Sequence, residues 1–223
     1  MDPYNLIIKI TVNAIPLVLA ITLHEAAHGY VARMFGDNTA YMLGRVTLNP
    51  AKHIDPVGTI AFPLLSMAIG GFFFGWARPV PVNFNNLRRP KQDMLWVAAA
   101  GPASNALQAL AWAAVAKSVD LLASPGSGLA AQFWFSVAIA GIGWNVAIAI
   151  FNLFPILPLD GGRIVTSLLP NRMAYSYSRL EPYGLPILIG LILLMNVYQP
   201  LGMALLGLMD WSDRFFLTLF GLQ

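Results

Sequence analysis

Two histidines and a glutamate stand together, as His24, Glu25 and His28, in the run VLAITLHEAAHGYVARMFG at residues 18–36. The histidines are four residues apart, so on a helix both imidazoles leave the same face and can grip one cation. Imidazole and carboxylate are the non-thiolate ligands of zinc. Glu25 sits beside the pair as a general base for a water whose pKa the metal lowers. The run is otherwise apolar. Ionisable groups in such surroundings are costly and by default mark function. Glu25 is also one of only two glutamates in the chain, the other being Glu181.

A hydrolytic zinc site takes a third protein ligand and leaves one position open. The chain has no cysteine, which removes thiolate ligands and disulfides together. The candidates are therefore His53, Glu181 and the aspartates. Asp160 stands out, in NLFPILPLDGGRI at residues 152–164. Pro155 and Pro158 lack amide donors and must interrupt a helix there. The break lets Asp160 leave the helix axis and turn inward, and the following Gly161-Gly162 pair permits close backbone approach. A turn aspartate is the plain alternative, because Asp-Gly is a common turn pair. His53 reads as a substitute ligand, a partner of a ligand or a loop residue; with Asp160 completing a three-ligand site, the last two are favoured.

The elements that must carry these residues are read from composition. The chain of 223 residues is 57% hydrophobic and 10% charged, and its mean hydropathy is +0.65. Soluble domains carry about 25% charged residues, so this chain belongs in a bilayer. Its net charge of +3 reports topology rather than nucleic-acid binding. No cleavable signal peptide is evident, and no PDZ-sized soluble domain fits between the apolar runs. Spans are expected over residues 4–35, 57–74, 93–117 and 130–154. The run 182–220 is too long for one helix and should split at the polar break 195–200.

If 57–74 crosses the membrane, the basic residues fall on both sides. If it dips in and returns, ten of the thirteen share the cytoplasmic face. These are Arg33, Arg45, Lys52, Arg78, Arg88, Arg89, Lys91, Arg163, Arg172 and Arg179. Under that topology Asp160 reaches the same side as His28, and under a full span it does not. Residues 43–50 and 76–84 carry alternating β-branched residues and end in turn formers, which suggests a short hairpin beside the first helix. The expected fold is thus an all-α polytopic membrane protein with five to six transmembrane helices, a re-entrant element and a small β-hairpin near the active site. It forms a single domain, residues 1–223, with a catalytic core over about 4–170 and accessory helices over about 182–220.

The segments HEAAH, AAAGPASN and NLFPILPLDGG, in that order, resemble the three signature segments of the site-2 protease family of intramembrane zinc metalloproteases. The resemblance runs from the first helix to about Arg163. It implies one zinc ion held by His24, His28 and Asp160, with Glu25 as the base. It also implies a substrate-binding role for Asn152 and matches the family's Gly-x-x-x-Asn to Gly101 and Asn105, with Asn105 a further substrate-binding candidate and Gly101 permitting tight packing. The chain differs from larger members in lacking a PDZ domain and in a long insertion after the histidines. It is similar to a compact prokaryotic form in the cytoplasmic membrane.

The substrate expected is a membrane protein or peptide, extended at the cleavage point and paired to a strand edge at 44–50 or 78–84. The C-terminal helices are candidates for a lateral gate. A membrane metal carrier using the His pair as an ion site is the alternative. It would not need Glu25 as a base, and neither it nor an inactive scaffold accounts for Glu25 and Asp160 together.

Overall fold

A computed structural model describes residues 3–55, 58, 78–123 and 128–222. The first helix, α1, is Pro3–Met34. Its apolar length makes it a membrane-compatible rod, and Gly36 ends it in the left-handed region at φ 111°. There the Gly36 amide donates to Arg33 O and the Asp37 amide to Ala32 O, the paired bonds of a Schellman cap. A single turn, α2 (Thr39–Met42), follows. The next long helix is α3, Pro90–Leu122. With 33 residues it is about 50 Å long at 1.5 Å per residue. Then come α4 (Gly128–Asn152), α5 (Asp160–Leu168), α6 (Asn171–Ser178), α7 (Gly184–Val197) and α8 (Gln199–Leu219). The expected split of the C-terminal run falls at Tyr198.

Helices α1, α3 and α4 pack on one another and form the body of the molecule; α5 lies on α3, and α8 on α4 and α3. Small residues line these contacts. Ala109, Ala113 and Ala116 of α3 and Ala138 of α4 are fully or almost fully buried, which lets backbones approach where lipid gives no hydrophobic drive to associate. The outward positions carry exposed Leu, Ile, Trp and Tyr side chains. Among the described residues, three stretches are long and apolar enough to cross a membrane: Ile7–Met34, Gly128–Asn152 and Asn171–Met195. Helix α3 has the length, but Ser104, Asn105 and Gln108 interrupt its apolar character midway.

The expected re-entrant element at 57–74 lies outside the described residues, except Gly58. The chain on either side of it meets at one end of the bundle, where the Arg78 amide donates to His53 O at 2.9 Å. The expected hairpin does not form among the described residues. Residues 43–49 follow turns and bends, and 78–83 run without a strand partner. The backbone groups a ladder would use are committed elsewhere. Pro79 and Pro81 have no amide to give. The Val80 amide donates to Glu25, and the carbonyls of Arg78 and Pro79 accept from the Arg45 guanidinium. Segment 78–83 therefore lies over α1 through side chains.

Candidate metal centre

His24 and His28 project one turn apart from α1 toward α3. The His24 Nδ1 lies 2.5 Å from Asn105 Oδ1, and the His28 Nδ1 lies 2.7 Å from Val97 O. Both partners are acceptors, so each Nδ1 carries the hydrogen and each Nε2 is left with a lone pair. The two Nε2 atoms face each other at 3.1 Å. Asp160 Oδ2 lies 3.2 Å from the Nε2 of His24 and 3.3 Å from that of His28. That oxygen is buried and receives no hydrogen bond.

Three lone-pair atoms thus converge without a donor among them, which is unfavourable unless a cation lies between them. Their spacing fits zinc, whose bonds of about 2.0–2.1 Å at tetrahedral angles set ligand atoms about 3.3 Å apart. Space for an ion is kept by Gly101 of α3. A Cβ there would stand 2.4 Å from His28 Nε2 and 2.6 Å from His24 Nε2. Among the described residues, His24, His28 and Asp160 form the one group of three or more such side chains able to hold a metal.

Asp160 reaches this point because the chain reverses sharply after α4. Asp160 is the first residue of α5, preceded by Leu159 in extended conformation. A Cβ on Gly161 would sit 2.2 Å from Leu153 O, so only glycine lets α5 rest directly on the backbone that leaves α4. Glu25 is half-buried, and its Oε2 accepts the Val80 amide at 2.7 Å. That bond fixes the orientation of the carboxylate and leaves Oε1 available.

The other sequence candidates fall in different places. Asn105 is fully buried. Its Oδ1 faces His24, and its amide hydrogens go to Ala20 O at 3.3 Å and Asn145 Oδ1 at 2.8 Å. It holds His24 and has no amide hydrogen left for a substrate, so the geometry gives it a positioning contact in place of the expected substrate contact. Asn152 is half-buried and donates to Ile148 O of its own helix at 3.0 Å. His53 is buried in the loop after α2 and bonds Thr47 O through Nε2 at 3.0 Å; it is no part of the cluster. Glu181 pairs with Arg163 at 3.0 Å. The sequence reading missed Asn145. It is fully buried, receives Asn105 and donates to Gly141 O at 2.8 Å. A lone asparagine midway along an apolar helix was the available signal.

Apolar helices enclosing a His-His-Asp centre, with a carboxylate one residue from a ligand, define a membrane-embedded metal-dependent hydrolase. Residues 117–195 match the family model of peptidase family M50. The chain is 39% identical over 193 residues to YwhC of Bacillus subtilis (strain 168), named as a zinc metalloprotease, covering 84% of this chain and 80% of that one. It is 31% identical to the zinc metalloprotease Rip2 of Mycolicibacterium smegmatis (strain ATCC 700084 / mc(2)155), covering 65% of this chain and 52% of Rip2. Rip2 of Mycobacterium tuberculosis (strain ATCC 35801 / TMC 107 / Erdman) is also 31% identical, over 76% of this chain and 56% of that one. The chain therefore spans most of YwhC and little more than half of each Rip2. No solved structure matches. The chain belongs to peptidase family M50, the site-2 protease family, and is a membrane metalloprotease that uses zinc.

Proposed function

We propose that the protein is an intramembrane endopeptidase. It hydrolyses peptide bonds within or near transmembrane segments of membrane-protein substrates, in the cytoplasmic membrane of a prokaryote. The observation that carries this is the convergence of His24 Nε2, His28 Nε2 and Asp160 Oδ2 within 3.1–3.3 Å of one another, one residue from Glu25. His24, His28 and Asp160 hold the ion. Bound there, zinc supplies Lewis acidity, which makes a proton of water removable near neutral pH. Glu25 takes that proton and delivers it to the leaving amine. The Val80 amide, bonded to its Oε2, fixes the orientation of Glu25. Asn105, backed by Asn145, holds His24 in the tautomer that turns Nε2 to the metal, and Val97 O does the same for His28. Asn152 lies at the end of α4, near the turn that presents Asp160, and pairs with the substrate backbone on exchanging its bond to Ile148.

The whole chain acts as one catalytic unit of five to six membrane helices, with the substrate and the lipid bilayer as its partners. The test is Glu25→Gln, assayed on single-span peptides in phospholipid vesicles. Zinc content stays at one per chain, because the ligands are untouched. Cleavage falls by about 10²–10⁴-fold, the usual worth of a general base. Full cleavage by the variant would overturn the reading. A metal carrier would show zinc flux that survives the substitution.

A further inference from the structure

A cavity of ≈ 460 Å³ opens between α1, α3 and the loop after α2, lined by Leu23, Ala26, Ala27, Leu48, Leu107 and Gln108 among others. Ala26 and Ala27 belong to the same helical turn as His24, Glu25 and His28. The walls are mostly apolar, with polar groups on Tyr30, Thr47, Ser104 and Gln108, and Gln108 differs from the other three. Both polar atoms of its amide are buried, and neither has a hydrogen-bond partner. Midway along a helix among lipid-facing elements, an amide left bare in this way is costly. Replacement by leucine would remove that cost, so folding does not explain its presence.

We infer that this cavity is a substrate subsite, in which the Gln108 amide pairs with a peptide group of an extended, apolar stretch of substrate. The inference rests on the proposed protease activity. An occupant must be apolar to match the walls and must both donate and accept to satisfy Gln108. A hydrocarbon chain does neither, and a lipid ester only accepts. A peptide unit offers one N–H and one C=O side by side, and these are free only where the substrate helix has opened. Opening is the state that cleavage requires, so Gln108 binds the cleavable conformation in preference to the intact helix. Leu23, Leu48 and Leu107 then receive an apolar side chain of the same stretch. Of the other polar residues on the wall, Ser104 bonds Gly101 O at 2.9 Å, Thr47 Oγ1 accepts the Asn49 amide at 3.2 Å and Tyr30 is exposed, so Gln108 is the one whose polar atoms are both buried and unpartnered.

The absence of cysteine makes the test direct. Leu48→Cys, made in the Glu25→Gln background, places a single thiol on the cavity wall. A single-span peptide with one cysteine stepped through its apolar segment is added in phospholipid vesicles under oxidising conditions. A disulfide is expected at a narrow set of peptide positions, with its yield reduced about tenfold by adding Gln108→Leu, the loss of one to two hydrogen bonds. With Glu25 intact, Gln108→Leu raises KM about tenfold and leaves kcat and zinc content unchanged, while Tm stays level or rises. An unmoved KM with a lowered Tm would make Gln108 a structural residue and overturn the inference. Cleavage without any disulfide would refute the subsite and leave the protease standing, and a lipid occupant would give that result. Disulfide formation in a chain that cuts no peptide would refute the protease and leave the cavity as a peptide site.

Discussion

Asn105 commits its whole amide inside the bundle, to His24 on one side and to Asn145 and Ala20 on the other. A residue held this way acts on metal affinity through the imidazole it orients. Asn105→Leu removes the acceptor that fixes the His24 tautomer and leaves Asn145 Oδ1 unpaired. Zinc affinity should fall about 10–100-fold, as for other partners of metal ligands. Competition with a chelator measures it. A raised KM with unchanged zinc affinity would restore the substrate contact expected from sequence. The convergence of His24, His28 and Asp160 was legible because His24, Glu25 and His28 share one helical turn and because the prolines before Asp160 announce a break. The tie from His28 to Val97 O was not legible, since a backbone carbonyl has no signature in side-chain types. Gly101 was legible as a place for tight packing, but not that two imidazoles from another helix occupy the place of its missing Cβ.

Between the helices, the connecting loops are held by buried side chains, and Asp37 is the main one. It is fully buried just past α1. Its Oδ1 accepts the amide and hydroxyl of Thr39 and the side chain of Asn86, and its Oδ2 accepts the Asn83 amide at 2.7 Å. Burial pushes this carboxyl up, but the bonds from Thr39, Asn83 and Asn86 outweigh it and hold the pKa below the ordinary value. A depressed folded-state pKa means stability that is fully present above the unfolded carboxyl range, about 3.9, and lost as pH falls through the lower folded value. Asp37→Asn should therefore lower stability near neutral pH by about 1–3 kcal/mol and flatten its loss at acid pH. Thermal unfolding in detergent from pH 7 downward reads both, and parallel acid slopes for the two proteins would remove this role. These bonds also explain the missing hairpin. Alternating Val80 and Val82 gave the period of a strand, but Pro79, Pro81, Arg45 and Glu25 take the groups that pairing needs. The helix runs were legible because apolar length is a property of composition. How the loop is held depends on partners such as Asp37 and Asn83, 46 residues apart.

At the scale of the molecule, one end of the bundle gathers the basic residues. Lys91 at the start of α3 bonds Leu169 O and, at 2.8 Å, Asn171 Oδ1, joining that end of α3 to the α5–α6 junction. Arg163 lies 4.8 Å from the Phe84 ring. The Arg88 amide donates to Phe35 O at the end of α1, and Arg78 meets His53. These contacts draw the ends of α1 and α5, the start of α3 and both flanks of 56–77 to the same face. By the positive-inside rule such an excess of Lys and Arg is expected on the cytoplasmic side, the orientation that the proposed function takes for this face. Single cysteines decide this, because the chain supplies no others. Arg89→Cys and Arg172→Cys should react with a membrane-impermeant maleimide only after right-side-out cells are opened, and Asp120→Cys, at the far end of α3, should react in intact cells. Labelling of Arg89→Cys and Arg172→Cys from opposite sides would separate residues that the Lys91 contacts hold together. Asp160 would then approach from the side opposite His28, and the three-ligand centre could not form.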